Sequence, residues 1–331
     1  MIHLTTLAVV GLALIFGHPT ARAGDDRESQ SPGTINLFAR FQSEGGKQMQ
    51  GLYRVDPATD VWTQVFDVPI RNGIVALARF RASSDGRRIV YNEYKESRTS
   101  PAVTTVWLRD LRAGAEPRKI SNIDGWPIWG PEGQGLIVVE PIPPADPKSP
   151  SRCVTWRIDD DGSHRVRLPI PETDQLWEWS PDGRWLAGDS MRDGIFDLVV
   201  MHPNGTERHE IGGSGSNEQV RFSPDSTRIA YLASSANPKA GMTGKSVGVV
   251  NPDGTGRRTI FKEADDQHLD GLAWSPDGKQ VATVLSTWTK IESGRVTPIN
   301  PRLCIIDVAD GQIHILTHPP ALILGHPEWR R

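Results

Sequence analysis

Two short phrases alternate down the chain, and the chain end completes the first of them. Together they predict an all-β fold, a six-bladed β-propeller with four antiparallel strands per blade. The first phrase reads "RASSDGRRIVY" from Arg81, "IWGPEGQGLIVV" from Ile128, "EWSPDGRWLAG" from Glu178, "RFSPDSTRIAY" from Arg221 and "AWSPDGKQVAT" from Ala273. The position of Trp179 is filled in order by Ala82, Trp129, Trp179, Phe222 and Trp274, at intervals of 47, 50, 43 and 52 residues. The second phrase is an apolar run entering a turn: "LYRVDPATD", "VWLRDLRAG", "TWRIDDDG", "LVVMHPNG", "GVVNPDG" and "LCIIDVADG".

Each element follows from local chemistry. In S-P-D-G, Pro presets φ at the first corner, Asp can bond its own backbone, and Gly takes the left-handed position that returns the chain as a hairpin. The flanking runs are β-branched and aromatic, as in strands buried on both faces. One unit is therefore strand A, the S-P-D-G turn, strand B, a variable loop, strand C, a second turn, and strand D. A single unit cannot cover its own apolar faces, whereas stacked units bury one another. The first unit, "INLFARF…LYRVD…VWTQVF", has strands B, C and D but no A. The final "LILGHPEWRR" reads as the missing A strand, with Trp329 in the Trp179 position. Residues 321–331 are thus expected to serve as strand A of blade 1 and close the ring, leaving no free edge at the seam.

Composition agrees. The 331 residues include 32 Gly, 26 Pro and 11 Trp, which suits short strands and tight turns better than a helical bundle. The formal charge of -3 supplies no electrostatic basis for binding nucleic acid or an anionic membrane. The first 23 residues stand apart. "LTTLAVVGLALIFG" is apolar, "ARA" ends at Ala23, and polar sequence follows. This is the pattern of a cleaved signal peptide, too short for a span of ~20 residues. The expected organisation is a signal peptide at 1–23, a polar linker at 24–34 and one propeller domain at 35–331. The expected location is periplasmic or secreted, with no transmembrane segment after cleavage.

These phrases resemble the repeats of TolB-type, WD40-like (PD40) β-propellers, with "WSPDG" between strands A and B and a D-x-D-G turn between C and D. The resemblance covers nearly the whole chain after the linker. It implies the fold and a periplasmic binding or scaffold role. About 11 residues separate Ala23 from the first expected strand, so the N-terminal domain of TolB proper is expected to be absent.

Candidate site residues follow from the blade positions. The residue before each strand-A aromatic is Arg81, Ile128, Glu178, Arg221, Ala273 and Glu328, for blades 2 to 6 and then 1. Glu178 and Arg221 sit on adjacent blades, as do Glu328 and Arg81. Two inter-blade ion pairs are expected near the channel, acting as electrostatic links or lining a ligand site. Trp129, Trp179, Trp274 and Trp329 share one repeat position and read as core. Trp126 and Trp177 lie nearer the D–A end and could face a ligand. Trp288 falls in the long segment 286–302 between strands B and C and is the leading candidate for a binding aromatic. Long B–C segments recur in blades 2, 3, 5 and 6, all on one face, where binding commonly resides.

Chemistry is otherwise sparse. His314 and His318 lie on a strand running into Pro, where a four-residue spacing does not juxtapose them. "DDDG" and "NPDG" are explained by the turns they occupy. There is no G-x-S-x-G and no phosphate-cradling Gly loop, so no catalytic residue, metal or cofactor is assigned. Cys153 and Cys304 fall on blades 3 and 6, opposite in a six-membered ring and far beyond the ~7 Å Cα limit for a disulfide, so two free thiols are expected. The functional expectation is an exported, non-enzymatic propeller that engages a protein, peptide or envelope glycan on its long-loop face. The alternative is a carbohydrate hydrolase or lyase with its site at the channel mouth, since a site assembled from six blades leaves no linear motif.

Overall fold

The structure is a computed structural model that describes residues 33–42, 48–67, 74–95, 103–112, 114–121, 123, 125–131, 134–143, 146, 152–192, 195–212, 217–237, 242–264, 266–290, 296–316 and 321–330. The apolar leader at 1–23 and nearly all of the linker lie outside them. Six antiparallel sheets follow one another along the chain, one per expected blade. Blade 4 shows the pattern: Asp174–Trp179, Leu186–Arg192, Ile195–Met201 and His209–Glu210 pair in chain order. The innermost strands of blades 2, 3, 5 and 6 are Ile74–Ala82, Trp126–Trp129, Asn217–Phe222 and Gln267–Trp274.

Blade 1 is completed by the C-terminal segment. Ala321–Leu324 and Glu328–Arg330 both pair antiparallel with Thr34–Gln42, with Leu324 opposite Ala39 and Trp329 opposite Ile35. The expected closure is present, with strand A split in two around Gly325–Pro327.

The core lies between the sheets. Blade 3 contributes Ile128, Ile137 and Val139, and blade 4 contributes Trp179, Leu186, Val199 and Met201, to one buried cluster. Each fully buried aliphatic side chain of this kind contributes about 1.5–3 kcal/mol. Both faces of a blade are covered this way, hence the near-continuous apolar runs in strands B and C.

The repeated turn has one hydrogen-bonding scheme. In blade 4, Gly183 N–H donates to the Ser180 carbonyl at 2.9 Å, the Ser180 hydroxyl donates to Asp182 Oδ1 at 2.6 Å, and Arg184 N–H donates to the same oxygen at 3.1 Å. Ser180 Oγ in turn accepts from Trp185 N–H at 2.9 Å. Ser223 and Asp225 repeat the scheme in blade 5, where the left-handed corner belongs to Ser226, with φ 60°. The hydroxyl oxygen of Ser226 accepts from Asp182 N–H of the neighbouring turn at 3.1 Å, a contact that a glycine cannot make.

One expectation is corrected. Trp288 is not in a loop. It lies in the strand Gln280–Lys290, opposite Pro298 of Val296–Asp307. Strands B and C also run on in blades 2 and 5, to Lys95 and from Val103, and to Asn237 and from Met242. Beyond the edge of the blade no neighbouring sheet demands apolar residues. In blade 6 the buried run ends at Ser286 and Thr287–Lys290 are half-buried or exposed, so a paired ribbon reads in sequence as an irregular loop.

Candidate functional site

The position before the strand-A aromatic carries a charged side chain on blades 1, 2, 4 and 5, whereas Ile128 and Ala273 pack into the cores between blades. The two ion pairs expected there are present. Arg81 Nη1 lies 3.3 Å from Glu328 Oε1, and Arg221 Nη1 lies 3.2 Å from Glu178 Oε2. The pairs are also joined: Arg221 Nη2 lies 3.4 Å from Glu328 Oε1, and Arg330 Nη2 lies 2.9 Å from Glu328 Oε2. The result is one network of three guanidinium and two carboxylate groups, centred on a Glu328 side chain only 3 % exposed. Burial pushes the Glu178 carboxyl above its ordinary value, against the pull of Arg221 and Arg81. Sequence reading missed Arg330, which lies two residues beyond Glu328 and outside the repeat column, and it missed the cross-link, which joins blades 5 and 1 past blade 6.

The repeat tryptophans hold this network in place. Trp129 donates its indole N–H to the Arg81 carbonyl at 2.9 Å, and Trp274 donates to the Arg221 carbonyl at 3.0 Å. Each ties its strand to the neighbouring inner strand at an arginine. Two cavities open at this mouth, on the face formed by the A–B turns. One, of about 290 Å³, is lined by residues including Arg221, Phe222, Pro276 and Trp329; the other, of about 280 Å³, by residues including Arg81, Trp129 and Trp179. They share Ser84, Glu178, Pro181 and Arg330. The combined surface has apolar Trp and Pro walls around a floor of Arg and Glu.

The other aromatic candidates lie elsewhere. Trp126 and Trp177 stack on each other, with ring centroids 5.2 Å apart and planes 14° apart. Trp126 donates to the Leu176 carbonyl at 2.8 Å, and Trp177 donates to Asp189. Trp288 packs against His268, with ring centroids 4.5 Å apart. These three are not brought together with the Arg–Glu network by any contact described.

A second polar group lies one layer deeper, and sequence reading missed it. Gln219, Asp270 and His326 come from the inner strands of blades 5, 6 and 1. Near them Glu263 leads out of the last strand of blade 5. Its Oε1 accepts from Lys245 N–H at 2.6 Å and its Oε2 from Leu269 N–H at 2.8 Å. Burial pushes this carboxyl up to about 7, outweighing both hydrogen bonds and the Lys245 charge. A carboxyl raised on folding contributes stability that is fully present below its unfolded-state value, near 4.5, and is lost as pH rises through about 7. Urea unfolding of the protein should therefore show stability falling by roughly 3 kcal/mol between pH 5 and 8. Glu263→Gln should flatten that slope, at a lower overall stability because its one amide oxygen can accept only one of the two bonds. A pH-independent wild type would contradict this reading. The turn aspartates do not interfere, since hydrogen bonds from Ser83 and Arg87 at Asp85, and the same pattern against burial at Asp182, hold them low.

Cys153 and Cys304 are both free and buried, and burial pushes each thiol up to about 12. Among the described residues no three His, Cys, Asp or Glu side chains converge as a metal site. No helix among them is long and apolar enough to cross a membrane.

The closed ring and its charged channel mouth define a six-bladed β-propeller of TolB-like fold. The sequence matches no family model and no curated protein. Among solved structures, TolB from Acinetobacter baumannii is similar, with a TM-score of 0.62 and 17% identity over 91% of this chain and 67% of that one. A provisional TolB from Agrobacterium tumefaciens gives 0.59 and 16% over 89% and 90%. An oligogalacturonate lyase in complex with manganese gives 0.50 and 18% over 78% and 75%. At these identities the likeness is one of fold.

Proposed function

We propose that this chain is an exported, non-enzymatic binding or scaffold module of the cell envelope, engaging a protein, peptide or envelope glycan at the channel mouth on the A–B turn face. The observation that carries this reading is the pair of adjoining cavities over the Arg81–Glu328–Arg221–Glu178 network. Their apolar walls supply area, their charged floor supplies orientation, and the interlocked turns hold both in place. Similarity to TolB structures supports the binding role, and the signal-like leader supports export. The long-loop face is the competing location, with Trp288 and the stacked Trp126 and Trp177 as its aromatic candidates.

The test uses the mature chain as bait in an envelope extract, beside two variants. Ser84 is exposed and borders both cavities, so Ser84→Trp obstructs the mouth without entering the core. Shortening 291–295, which link Gln280–Lys290 to Val296–Asp307, alters the opposite face. Loss of a specific partner in Ser84→Trp alone is the expected result. Loss only in the 291–295 variant moves the site to the long-loop face. The lyase-like structure favours the second reading, a carbohydrate hydrolase or lyase, which turnover of polygalacturonate by the purified chain would establish in place of the first.

A further inference from the structure

Gln219, Asp270 and His326 each sit where strand pairing is interrupted. The register skips Gln219 between Glu218 and Val220, and skips again after Asp270. His326 falls in the gap between the two halves of the closing strand. Gln219 adopts a left-handed φ of 61°, uncommon for a residue with a side chain. Such interruptions re-aim side chains, and here three of them, on adjacent blades, turn side chains toward one point.

The three polar atoms at that point are in mutual contact. Gln219 Nε2 lies 2.6 Å from Asp270 Oδ1 and 3.1 Å from His326 Nε2, and that imidazole nitrogen lies 3.2 Å from Asp270 Oδ1. Protons cannot satisfy all three edges. If the imidazole nitrogen accepts from the amide, its lone pair leaves no hydrogen for Asp270. If it carries a hydrogen toward Asp270, it cannot accept from the amide. The far end of the amide fares no better: Gln219 is 3 % exposed, and its Oε1 has no hydrogen-bond partner among the described residues.

Edges near 3 Å are what a small cation imposes on neighbouring ligand atoms when each bond is ~2.1 Å. We propose that Gln219, Asp270 and His326 are three protein ligands of a first-row divalent cation held inside the channel. The Gln219 amide, turned about its last bond, presents Oε1 in place of Nε2. The three ligand atoms are then a carboxylate oxygen, an amide oxygen and an imidazole nitrogen, a borderline set suited to Zn²⁺ or Mn²⁺ rather than to the soft ions that thiolates select. The Asp270 side chain is 38 % exposed, so solvent can reach the group and fill the remaining coordination positions. This site is independent of any ligand at the mouth.

The untagged mature chain, stripped with chelator, would be titrated with Zn²⁺ by calorimetry and with Co²⁺ by visible absorption at pH 7. One site per chain is expected, with d–d bands for Co²⁺. His326→Gln and Asp270→Asn should each weaken Zn²⁺ at least tenfold, while His314→Gln, on an exposed outer strand, should not. Gln219→Glu supplies a charged oxygen at the same place and should tighten binding. Absence of stoichiometric binding would overturn the proposal, as would affinity unchanged in His326→Gln and Asp270→Asn. Should those two variants fail to fold, a folded Gln219→Glu protein with wild-type affinity would overturn it equally.

Discussion

Removal of residues 321–331 should abolish cooperative folding of the ring. The deleted segment supplies every inner-strand residue of blade 1, including Leu324 at 6 % and Trp329 at 3 % exposure. Its loss also uncovers the edge of Thr34–Gln42, a row of unpaired backbone groups beside the buried Ile35 and Leu37. The expected result is an aggregating chain without a sharp thermal transition. The point variant Trp329→Ala should fold but lose about 3–5 kcal/mol in urea denaturation. A truncated chain that unfolds with the wild-type midpoint would show that the ring does not depend on this strand.

Glu328→Gln should be the most damaging single change of charge. Glu328 meets Arg81, Arg221 and Arg330, and the substitution leaves three guanidinium groups with Glu178 as the one remaining carboxylate of the network. Removing one member of a buried ion network costs about 3–5 kcal/mol, because the partners stay buried and uncompensated. Glu178→Gln should cost clearly less. Its carboxyl pairs with Arg221 alone in this network, and burial already biases it toward the neutral form. A double variant, Glu328→Gln with Arg81→Met, should recover part of the loss, since it removes one of the buried positive charges that Glu328 offsets. Equal losses from Glu328→Gln and Glu178→Gln, measured by urea unfolding at pH 7, would remove Glu328 from the centre of the network.

Much of this molecule was legible before any coordinate. The S-P-D-G copies dictate hairpins through the φ preferences of Pro and Gly and the short reach of Ser and Asp. Those preferences act within six residues, so they survive in the linear text. The Arg81–Glu328 and Glu178–Arg221 pairs were legible too, since the four charged residues share one repeat column and blade order fixes which are neighbours. The free thiols followed from the same blade count.

Other features were decided by tertiary structure alone. Trp288 read as a loop residue because a ribbon outside the blades lacks the burial alternation that marks a strand. The Arg221–Glu328 contact joins strands 107 residues apart, and Arg330 pairs with Glu328 from outside the repeat column, so no column predicts either. The Gln219–Asp270–His326 cluster depends on three interruptions of strand pairing, each shifting a side chain out of register with its own repeat. Sequence by itself determined the blades, their order and their closure, because these rest on local backbone chemistry repeated in phase. The tertiary structure decided which polar groups meet in the channel, because that depends on ångström-scale offsets between strands that are remote along the chain.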